Sequence, residues 1–327
     1  MSAVAPTVEA VVDAAGAHIR GLMTALEQRL AELAVGHGEV LAGHAGDTIA
    51  AGGKRLRPLI VFVAAGDQAD DGRGLVRAAA AVELVHSATL VHDDVLDAAD
   101  LRRGRPTVVA SAGRAMATAT GDLLFSRAFA ELALNRRREE VRALSAASTA
   151  LAGGELLQRA DAFDPEVTVE RYLRRCELKT AALFEAACRL GALEGDADGA
   201  RVGELAAFGR GIGLAFQVLD DVLDVSGPPE RTGKRRGADL LDGTVTLPLI
   251  LARQRSDDVA RLDLREIAGA DRAEAVCDAI EATGALEDAR RLALEMVAEA
   301  RAALPPLPAA QLQALQLIAD GVVERYA

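Results

Sequence analysis

The pentapeptide DDVLD occurs twice in the chain, at residues 93–97 and 220–224. Residues four apart share one face of a helix, so Asp93 and Asp97 project together, and Asp94 reaches around the same end. Carboxylate oxygens are ligands of Mg²⁺, which is usually held by one or two carboxylates with phosphate and water. The repeat therefore indicates sites for Mg²⁺ and a polyphosphate, with a solvated acidic helix end as the alternative.

Three basic stretches accompany these acidic segments, although the net charge is −12. GGKRLRP (52–58) is a glycine-flanked loop before a proline, and such a loop entering a helix binds anions. DLRRGRPT (100–107) directly follows the first DDVLD, and arginine matches phosphate oxygens in two places. For these two, a solvated basic turn is the alternative.

The third basic stretch, GPPERTGKRRGADLLDGTVTLP (227–248), follows the second DDVLD. Its glycines and prolines predict a loop, and its cations could close over a bound anion as a lid. Lys179 and Thr180 lie inside the apolar segment LKTAALFEAA. A lysine there either extends to the surface or meets an anion. Together these patterns indicate a site for Mg²⁺ and diphosphate.

The elements that carry these residues are predicted to be helices. The 327 residues are 50% hydrophobic and only 3% aromatic, and the abundant Ala and Leu favour helix over strand. Helical periodicity recurs along the chain, beginning with one amphipathic helix from Val8 to Leu33. Neither an alternating strand pattern nor a low-complexity linker is evident. We therefore expect a single all-α domain over residues 1–327.

Composition also limits the possible partners and the compartment. A net charge of −12 argues against a nucleic-acid partner. Three cysteines without a CxxC pair predict a reducing environment and no disulfide framework. The N-terminus lacks a signal-peptide pattern, and no apolar run reaches the ~18 residues of a membrane span. The dense patch PLIVFVAAG (58–66) is typical of a buried helix. A cytoplasmic location without a membrane-spanning segment is expected.

The motifs resemble those of the trans-isoprenyl (polyprenyl) diphosphate synthases, of medium- to long-chain or geranylgeranyl type. ELVHSATLVHDDVLDAADLRRGRPT (83–107) is similar to the first aspartate-rich motif of that family, and FQVLDDVLDVSG (216–227) to the second. GGKRLRP, the Lys179–Thr180 pair and TGKRRGADL occur in the family's order. The resemblance implies an all-α prenyltransferase fold around a central cavity, a homodimer, and three Mg²⁺ ions per active site.

The resemblance also implies roles for individual residues. Two Mg²⁺ ions would be held on the allylic diphosphate by Asp93, Asp94 and Asp97. A third would be held by Asp220, with support from Asp221 and Asp224. The residues implied to contact the allylic diphosphate are Arg102, Lys179 and Lys234. Those implied to contact isopentenyl diphosphate are Lys54, Arg57, His86 and Arg103. The residues implied to flank the reacting carbons and steady positive charge are Thr180 and Gln217.

One position departs from the family's pattern. The family often has a lysine in a Gly-Lys-x-Thr-Leu-Pro segment, whereas this chain has Thr244 in DGTVTLP. One cationic contact to the leaving group is therefore missing, and Arg235 or Arg236 is a possible substitute.

The reaction that the resemblance implies has three steps. The allylic C–O bond ionises, the isopentenyl double bond adds to the allylic cation, and a proton is lost. The product is five carbons longer.

The expected product length depends on the helix that carries the first DDVLD. Positions four and five before Asp93 face the growing tail by helical spacing, and Thr89 and Ala88 there are small. In short-chain relatives an aromatic residue closes the pocket at this point. Phe125 and Phe129 could form a deeper floor, with ordinary core packing as the alternative. We expect a product of twenty carbons or longer.

Several other functions are compatible with part of this pattern. A synthase limited to geranylgeranyl or farnesyl diphosphate differs only in chain length. A non-catalytic partner subunit of a heteromeric synthase is expected to lose an acid triad, and both are intact. A class I terpene cyclase lacks cations for isopentenyl diphosphate. A generic Ca²⁺-binding helical protein does not explain the basic stretches.

Overall fold

The structure is a computed structural model that describes residues 8–35, 39–50, 53, 55–67, 72–102, 104–227 and 236–324. Within these residues the regular secondary structure is helical except for one antiparallel pair of two-residue strands. The prediction of an all-α fold is therefore confirmed. Abundant Ala and Leu explain this outcome, because both residues lose little freedom when they enter a helix.

The elements follow one another as mainly long helices with short connections. The first half comprises α1 (Val8–Ala15), α2 (Ala17–Ala34), α3 (Glu39–Ala50), α4 (Leu56–Ala65), α5 (Arg73–Leu96), β1 (Leu101–Arg102), β2 (Arg105–Pro106), α6 (Val108–Ala133) and α7 (Arg138–Ala160). The second half comprises α8 (Val169–Cys176), a π-helix (Glu177–Ala181), α9 (Ala182–Glu194), α10 (Gly199–Ser226), α11 (Ala238–Leu241), α12 (Leu247–Arg255), α13 (Asp257–Ala260), a 3₁₀-helix (Leu264–Glu266), α14 (Ala270–Ala282), α15 (Ala285–Ala302) and α16 (Ala309–Glu324).

The chain divides into two compact units. The first is drawn from Met1–Ser148, Leu183–Gly209 and Ala303–Gly321, and the second from Thr149–Ala182, Arg210–Ala302 and Val322–Ala327. The first DDVLD belongs to the first unit, and the second DDVLD to the second unit. The expected single domain over residues 1–327 stays a prediction.

The core of the first unit is built on α4 and α5. Every residue from Pro58 to Ala65 is buried, which confirms the buried helix predicted from the PLIVFVAAG patch. Eight consecutive residues of α5, Ala78 to Val85, are buried as well. From this buried segment α5 continues to its last turn, which carries the first DDVLD.

The predicted single helix from Val8 to Leu33 is wrong in one respect. The chain forms two helices that are separated at Gly16, where φ is 108° and ψ is 160°. Glycine tolerates this backbone conformation because it has no Cβ. The expected apolar face survives in α2, where Ile19, Leu26 and Leu30 are buried.

Two described helices are long and apolar enough to meet a composition test for membrane spans. They are α5 and α10, and 67% and 56% of their most apolar windows are buried inside the protein. Core helices of folded domains meet the same test, because burial selects the same apolar residues.

Candidate active site

The first DDVLD ends α5, where the Asp97 backbone N–H donates to the Asp93 carbonyl at 2.8 Å. Asp93 is half-buried, Asp94 is only 5% exposed, and Asp97 is exposed. Asp94 Oδ1 accepts hydrogen bonds from Arg102 Nε and Nη2, both at 2.7 Å. The hairpin of β1 and β2 folds Arg102 back onto the helix end. Asp93 and Asp97 are therefore the more accessible carboxylates of this triad, and Arg103 lies outside the described residues.

The two described cations of the GGKRLRP segment, Arg55 and Arg57, have different partners. Arg55 is buried, pairing with Glu83 at 2.6 Å and Glu27 at 2.8 Å, and it holds the start of α4 rather than facing an anion. Arg57 lies beside His86, with Nη1 3.3 Å from Nε2. The Arg57 guanidinium also covers the Phe184 ring at 4.6 Å.

Arg57 and His86, two residues expected to bind isopentenyl diphosphate, are therefore brought together. Lys54, the third such residue in this part of the chain, lies outside the described residues.

The predicted tail path runs along α5 beside α6. Ala88 is fully buried, while Thr89 is half-buried and donates its hydroxyl to the His86 carbonyl at 2.7 Å. Phe125 stacks on His92 with ring centroids 5.8 Å apart. Because His92 directly precedes Asp93, Phe125 lies level with the acid triad rather than deep below it.

Phe129 is one turn further along α6, which runs antiparallel to α5. The opposite ends of the two helices meet where Asn135 Nδ2 donates to the Gly74 carbonyl at 2.9 Å. Phe129 is half-buried. It is therefore placed lower along α5 than Phe125 and suits a floor better.

The second DDVLD lies in α10 and is tied into a chain of hydrogen bonds. The Thr180 hydroxyl donates to Gln217 Oε1 at 2.6 Å, and Gln217 Nε2 donates to Asp221 Oδ1 at 2.7 Å. The other oxygen of Asp221 accepts from the Tyr172 hydroxyl at 2.7 Å. Burial, with Asp239 nearby, raises the pKa of Asp221 to about 8. Both oxygens of Asp221 are thus occupied by neutral donors.

The other two carboxylates of this triad are half-buried. Asp224 Oδ2 accepts from the Asp239 backbone N–H at 3.2 Å, and its carbonyl accepts from the Gly237 N–H at 2.9 Å. Asp224 thereby anchors the start of α11. Asp220 is the first carboxylate of this triad, as Asp93 is of the other, and it is half-buried rather than enclosed as Asp221 is.

Lys179 lies in the π-helix, which interrupts an otherwise continuous helical stretch from α8 to α9. Single-turn π segments occur frequently at functional sites. Lys179 Nζ donates to Glu155 Oε2 at 2.5 Å and to Gln158 Oε1 at 3.1 Å. The side chain is partly exposed. Lys179 thus neither extends freely into solvent nor lies without a counter-charge.

Of the two arginines that could replace the missing lysine, the structure describes only Arg236. Lys234 and Arg235 lie outside the described residues. Arg236 binds Asp278 at 2.5 Å and Glu281 at 2.9 Å, and its Nε donates to the Val225 carbonyl. Arg236 therefore fastens the end of this loop to α14. Each of its three guanidinium nitrogens already has an acceptor, so it is a poor substitute for a lysine at Thr244.

The donors of the two triads fit Mg²⁺ better than a cation enclosed by protein. Among the described residues, no group of three or more His, Cys, Asp or Glu side chains is assembled to hold a metal. Mg²⁺ needs only one or two carboxylates when phosphate and water complete its shell. Asp93, Asp97 and Asp220 supply such accessible oxygens.

Sequence reasoning missed three residues that position this site. Tyr172 holds Asp221, which is 49 residues away, so no local spacing could reveal the pair. Glu155 holds Lys179 across 24 residues. Arg175 is buried and donates to the Val245 carbonyl at 2.5 Å, next to Thr244. No signal in the sequence singled them out, because α7 and α8 carry several other charged residues as well.

Comparison with known proteins gives a consistent family. Residues 39–283 match the family Polyprenyl synthetase. The chain is 37% identical over 264 residues to octaprenyl diphosphate synthase of Escherichia coli, covering 80% of this chain and 82% of that protein. It is 38% identical over 284 residues to geranylgeranyl diphosphate synthase of Methanosarcina mazei, covering 84% and 86%.

A solved structure supports the same family. The polyprenyl synthase of Caulobacter crescentus, crystallised with calcium and isoprenyl diphosphate, superposes with a TM-score of 0.91 and 34% sequence identity. The match covers 99% of this chain and 100% of that chain.

Proposed function

The chain belongs to the polyprenyl synthetase family, and from that premise we propose how its own residues perform the reaction. It is a prenyltransferase that condenses isopentenyl diphosphate with an allylic diphosphate. We propose that it depends on Mg²⁺ and releases a product of twenty carbons or longer. The relatives named above make products of different lengths, so product length rests on the residues of this chain.

Asp93, Asp97 and Asp220 are proposed as the direct Mg²⁺ ligands, with about three ions bound in the active enzyme. The other three carboxylates have a supporting role, because each is bound by protein groups. Asp94 is bound by Arg102, and Asp221 by Tyr172 and Gln217. Asp224 is bound by the backbone at the start of α11. When bound, Mg²⁺ neutralises the negative charge that develops on the departing pyrophosphate. This division differs from the expectation only at Asp94, which the resemblance implied to be a direct ligand together with Asp93 and Asp97.

The basic residues divide between the two substrates. Arg102 and Lys179 contact the allylic diphosphate, and Lys234 is assigned there from its motif. Arg57 and His86, 3.3 Å apart, contact isopentenyl diphosphate, with Lys54 and Arg103 assigned from their motifs. A guanidinium beside an imidazole offers donors to several phosphate oxygens at once. Pyrophosphate is proposed to accept the proton that the new carbon chain loses.

The hydrogen-bond chain from Thr180 through Gln217 and Asp221 to Tyr172 carries this proposal. It holds the Thr180 hydroxyl and the Gln217 carboxamide with bonds of 2.6 and 2.7 Å, and neither can turn away without breaking a partner. Both groups present oxygens, which stabilise a developing allylic cation by their dipoles. Fixed dipoles act without reorganisation at the moment of reaction.

Direct assay tests the reaction. Purified protein with Mg²⁺, labelled isopentenyl diphosphate and allylic primers of increasing length should yield extended prenyl diphosphates. An active synthase loses this activity on addition of EDTA and regains it with excess Mg²⁺. Failure of the folded protein to consume isopentenyl diphosphate with any primer would refute the assignment.

Product length follows from the residues before Asp93. Ala88 and Thr89 are small, and no aromatic side chain occupies either position to stop the tail at fifteen carbons. We therefore expect Thr89→Phe or Ala88→Phe to shorten the main product by at least one five-carbon unit, measured by chromatography of the dephosphorylated alcohols. Ala152→Phe, at an exposed position of α7, is the control and should leave the length unchanged. A wild-type enzyme that stops at fifteen carbons contradicts the pocket argument.

Phe129→Ala should lengthen the product if Phe129 is the floor of the pocket, whereas Phe125→Ala should change the product length less, because Phe125 stacks on His92.

A cytoplasmic homodimer is proposed for the working enzyme. The oligomer is measured by light scattering at assay concentration, and a monomer with full activity contradicts that part of the proposal.

A further inference from the structure

Glu155 of α7 lies against the π-helix that carries Lys179. A Cβ added to the neighbouring Gly154 would lie 2.5 Å from the Lys179 backbone nitrogen. No other residue type fits at position 154 without moving one of the two helices. The close approach that Gly154 permits brings the Glu155 carboxylate to the Lys179 ammonium.

The Lys179 ammonium is held by two acceptors from α7. Its Nζ is 2.5 Å from Glu155 Oε2 and 3.1 Å from Gln158 Oε1. An ammonium group has three N–H donors. The described contacts use two of them, which leaves one for an incoming phosphate oxygen.

The Glu155 carboxylate is ionised at neutral pH. Burial raises its pKa, but the ion pairs with Lys179 and Arg159 outweigh burial and leave the pKa below its usual value. Arg159 Nε binds the other oxygen, Oε1, at 2.7 Å. The carboxylate is therefore fixed from both sides and is only 14% exposed.

A fixed carboxylate beside a substrate-binding lysine has two effects. It orients the ammonium, and it cancels part of the positive charge that attracts diphosphate. A fully uncompensated lysine in a partly buried site would bind pyrophosphate tightly, before and after the reaction. Uniformly tighter binding of substrate and product does not speed chemistry and slows release.

We propose that Glu155 is a positioning residue that fixes Lys179 and limits the affinity of the site for diphosphate, so that pyrophosphate leaves after each condensation. This inference rests on the proposed contact between Lys179 and the allylic diphosphate. It assigns a role in turnover to a carboxylate outside both DDVLD segments.

The test is Glu155→Gln, which keeps the shape and one acceptor oxygen, enough for Lys179 or Arg159 but not for both, and removes the charge. Binding of inorganic pyrophosphate with Mg²⁺, measured by calorimetry, should tighten about fivefold. The KM for the allylic diphosphate and the inhibition constant of pyrophosphate should fall by a similar factor, and kcat should fall as well. The KM for isopentenyl diphosphate should stay the same.

Glu177→Gln is the matched control, because it removes the same charge two residues from Lys179. Glu177 binds Arg174 at 2.5 Å and Arg210 at 3.3 Å instead. This variant should bind pyrophosphate as the wild type does. Equal tightening in both variants would show a general charge effect and overturn the proposal.

A Lys179→Met variant tests whether Glu155 acts through Lys179. In Lys179→Met, adding Glu155→Gln should tighten pyrophosphate binding by clearly less than fivefold, because the part of the effect that acts through Lys179 is gone. Any of three results overturns the proposal. They are a fivefold change that persists in the Lys179→Met background, unchanged or weaker pyrophosphate binding by Glu155→Gln, and failure of Glu155→Gln to fold. Pyrophosphate binding is measured without turnover, so a wild type that binds it but never condenses substrates refutes the proposed function alone.

Discussion

The two DDVLD segments share five residues, yet their middle carboxylates are held in different ways. Asp94 and Asp221 are each 5% exposed. Asp94 is bound by the guanidinium of Arg102 at 2.7 Å. Asp221 is bound by a phenol and a carboxamide, those of Tyr172 and Gln217, each at 2.7 Å.

The difference lies in charge. A buried carboxylate must be compensated by a cation, or it tends to take up a proton. Arg102 supplies the cation for Asp94. Asp221 has only neutral donors, and burial raises its pKa to about 8. The same aspartate in the same pentapeptide is thus an ion-pair partner in one copy and part of a neutral hydrogen-bond network in the other.

The pentapeptide alone therefore does not fix the state of its middle carboxylate, which depends on the residues packed around it. Asp93 and Asp220 are both half-buried and begin their pentapeptides. They are the equivalent pair, whereas Asp94 and Asp221 are not.

The largest effect is expected at the equivalent pair. Asp93→Ala and Asp220→Ala should each lower kcat/KM by about a thousandfold or more, because each removes a ligand of the ions that stabilise the leaving group. The folded state should persist, as circular dichroism would show. Asp258→Ala, at a position whose side chain is 95% exposed, is the control and should be neutral. Near-normal turnover of either variant breaks the proposed equivalence.

A smaller and unequal effect is expected at the middle positions. Asp94→Asn should lower kcat/KM about a hundredfold, because it leaves Arg102 without its counter-charge. Asp221→Asn should cost about tenfold or less, because its partners are already neutral donors and an amide oxygen can still accept from Gln217. Steady-state kinetics with the allylic substrate measures both. Equal losses would show that the different partners do not matter.

The rule that an uncompensated buried carboxyl holds a proton can be tested away from the proposed active site. Glu140 is fully buried in the first unit and accepts from Asn135 Nδ2 at 3.1 Å. Burial, with Glu194 nearby, raises the pKa of Glu140 to about 9. Between the unfolded pKa near 4.5 and this value, the folded protein binds a proton that the unfolded chain has lost. Its contribution to stability therefore falls as pH rises through that window.

Glu140→Gln should abolish this pH dependence. Relative to the wild type, the free energy of unfolding of the variant should be similar at pH 5 and higher by about 2 kcal/mol at pH 8. Thermal or urea unfolding across this range gives the difference. Glu139→Gln, at the exposed neighbouring position, should follow the wild-type curve. Parallel curves for the wild type and Glu140→Gln would contradict the rule.

Much of the fold could be predicted from the chain. Helical periodicity and the wealth of Ala and Leu predicted an all-α protein, and the apolar PLIVFVAAG patch predicted the buried helix α4. The break at Gly16 was missed, because a single glycine inside a helical pattern is often tolerated. Periodicity reports which face is apolar, and that face is the same with or without the break.

The candidate site was predicted less evenly. The motif positions of Arg57 and His86 were recognised, but their separation of 3.3 Å comes from packing of α4 beside α5. Arg55 looked like an anion-binding residue and is instead buried against Glu27 and Glu83. A basic residue in a loop has the same letter in either case, and only its neighbours decide its task.

The groups available for chemistry could be recognised in the amino-acid sequence: two carboxylate pentapeptides, the arginines after the first, and the Lys179–Thr180 pair. The partners of these groups depend on packing between segments that are distant along the chain. Tyr172 reaches Asp221 across 49 residues, and Glu155 reaches Lys179 across 24. Charge compensation depends on distances of a few ångströms in space, which spacing along the chain does not encode beyond a few helical turns.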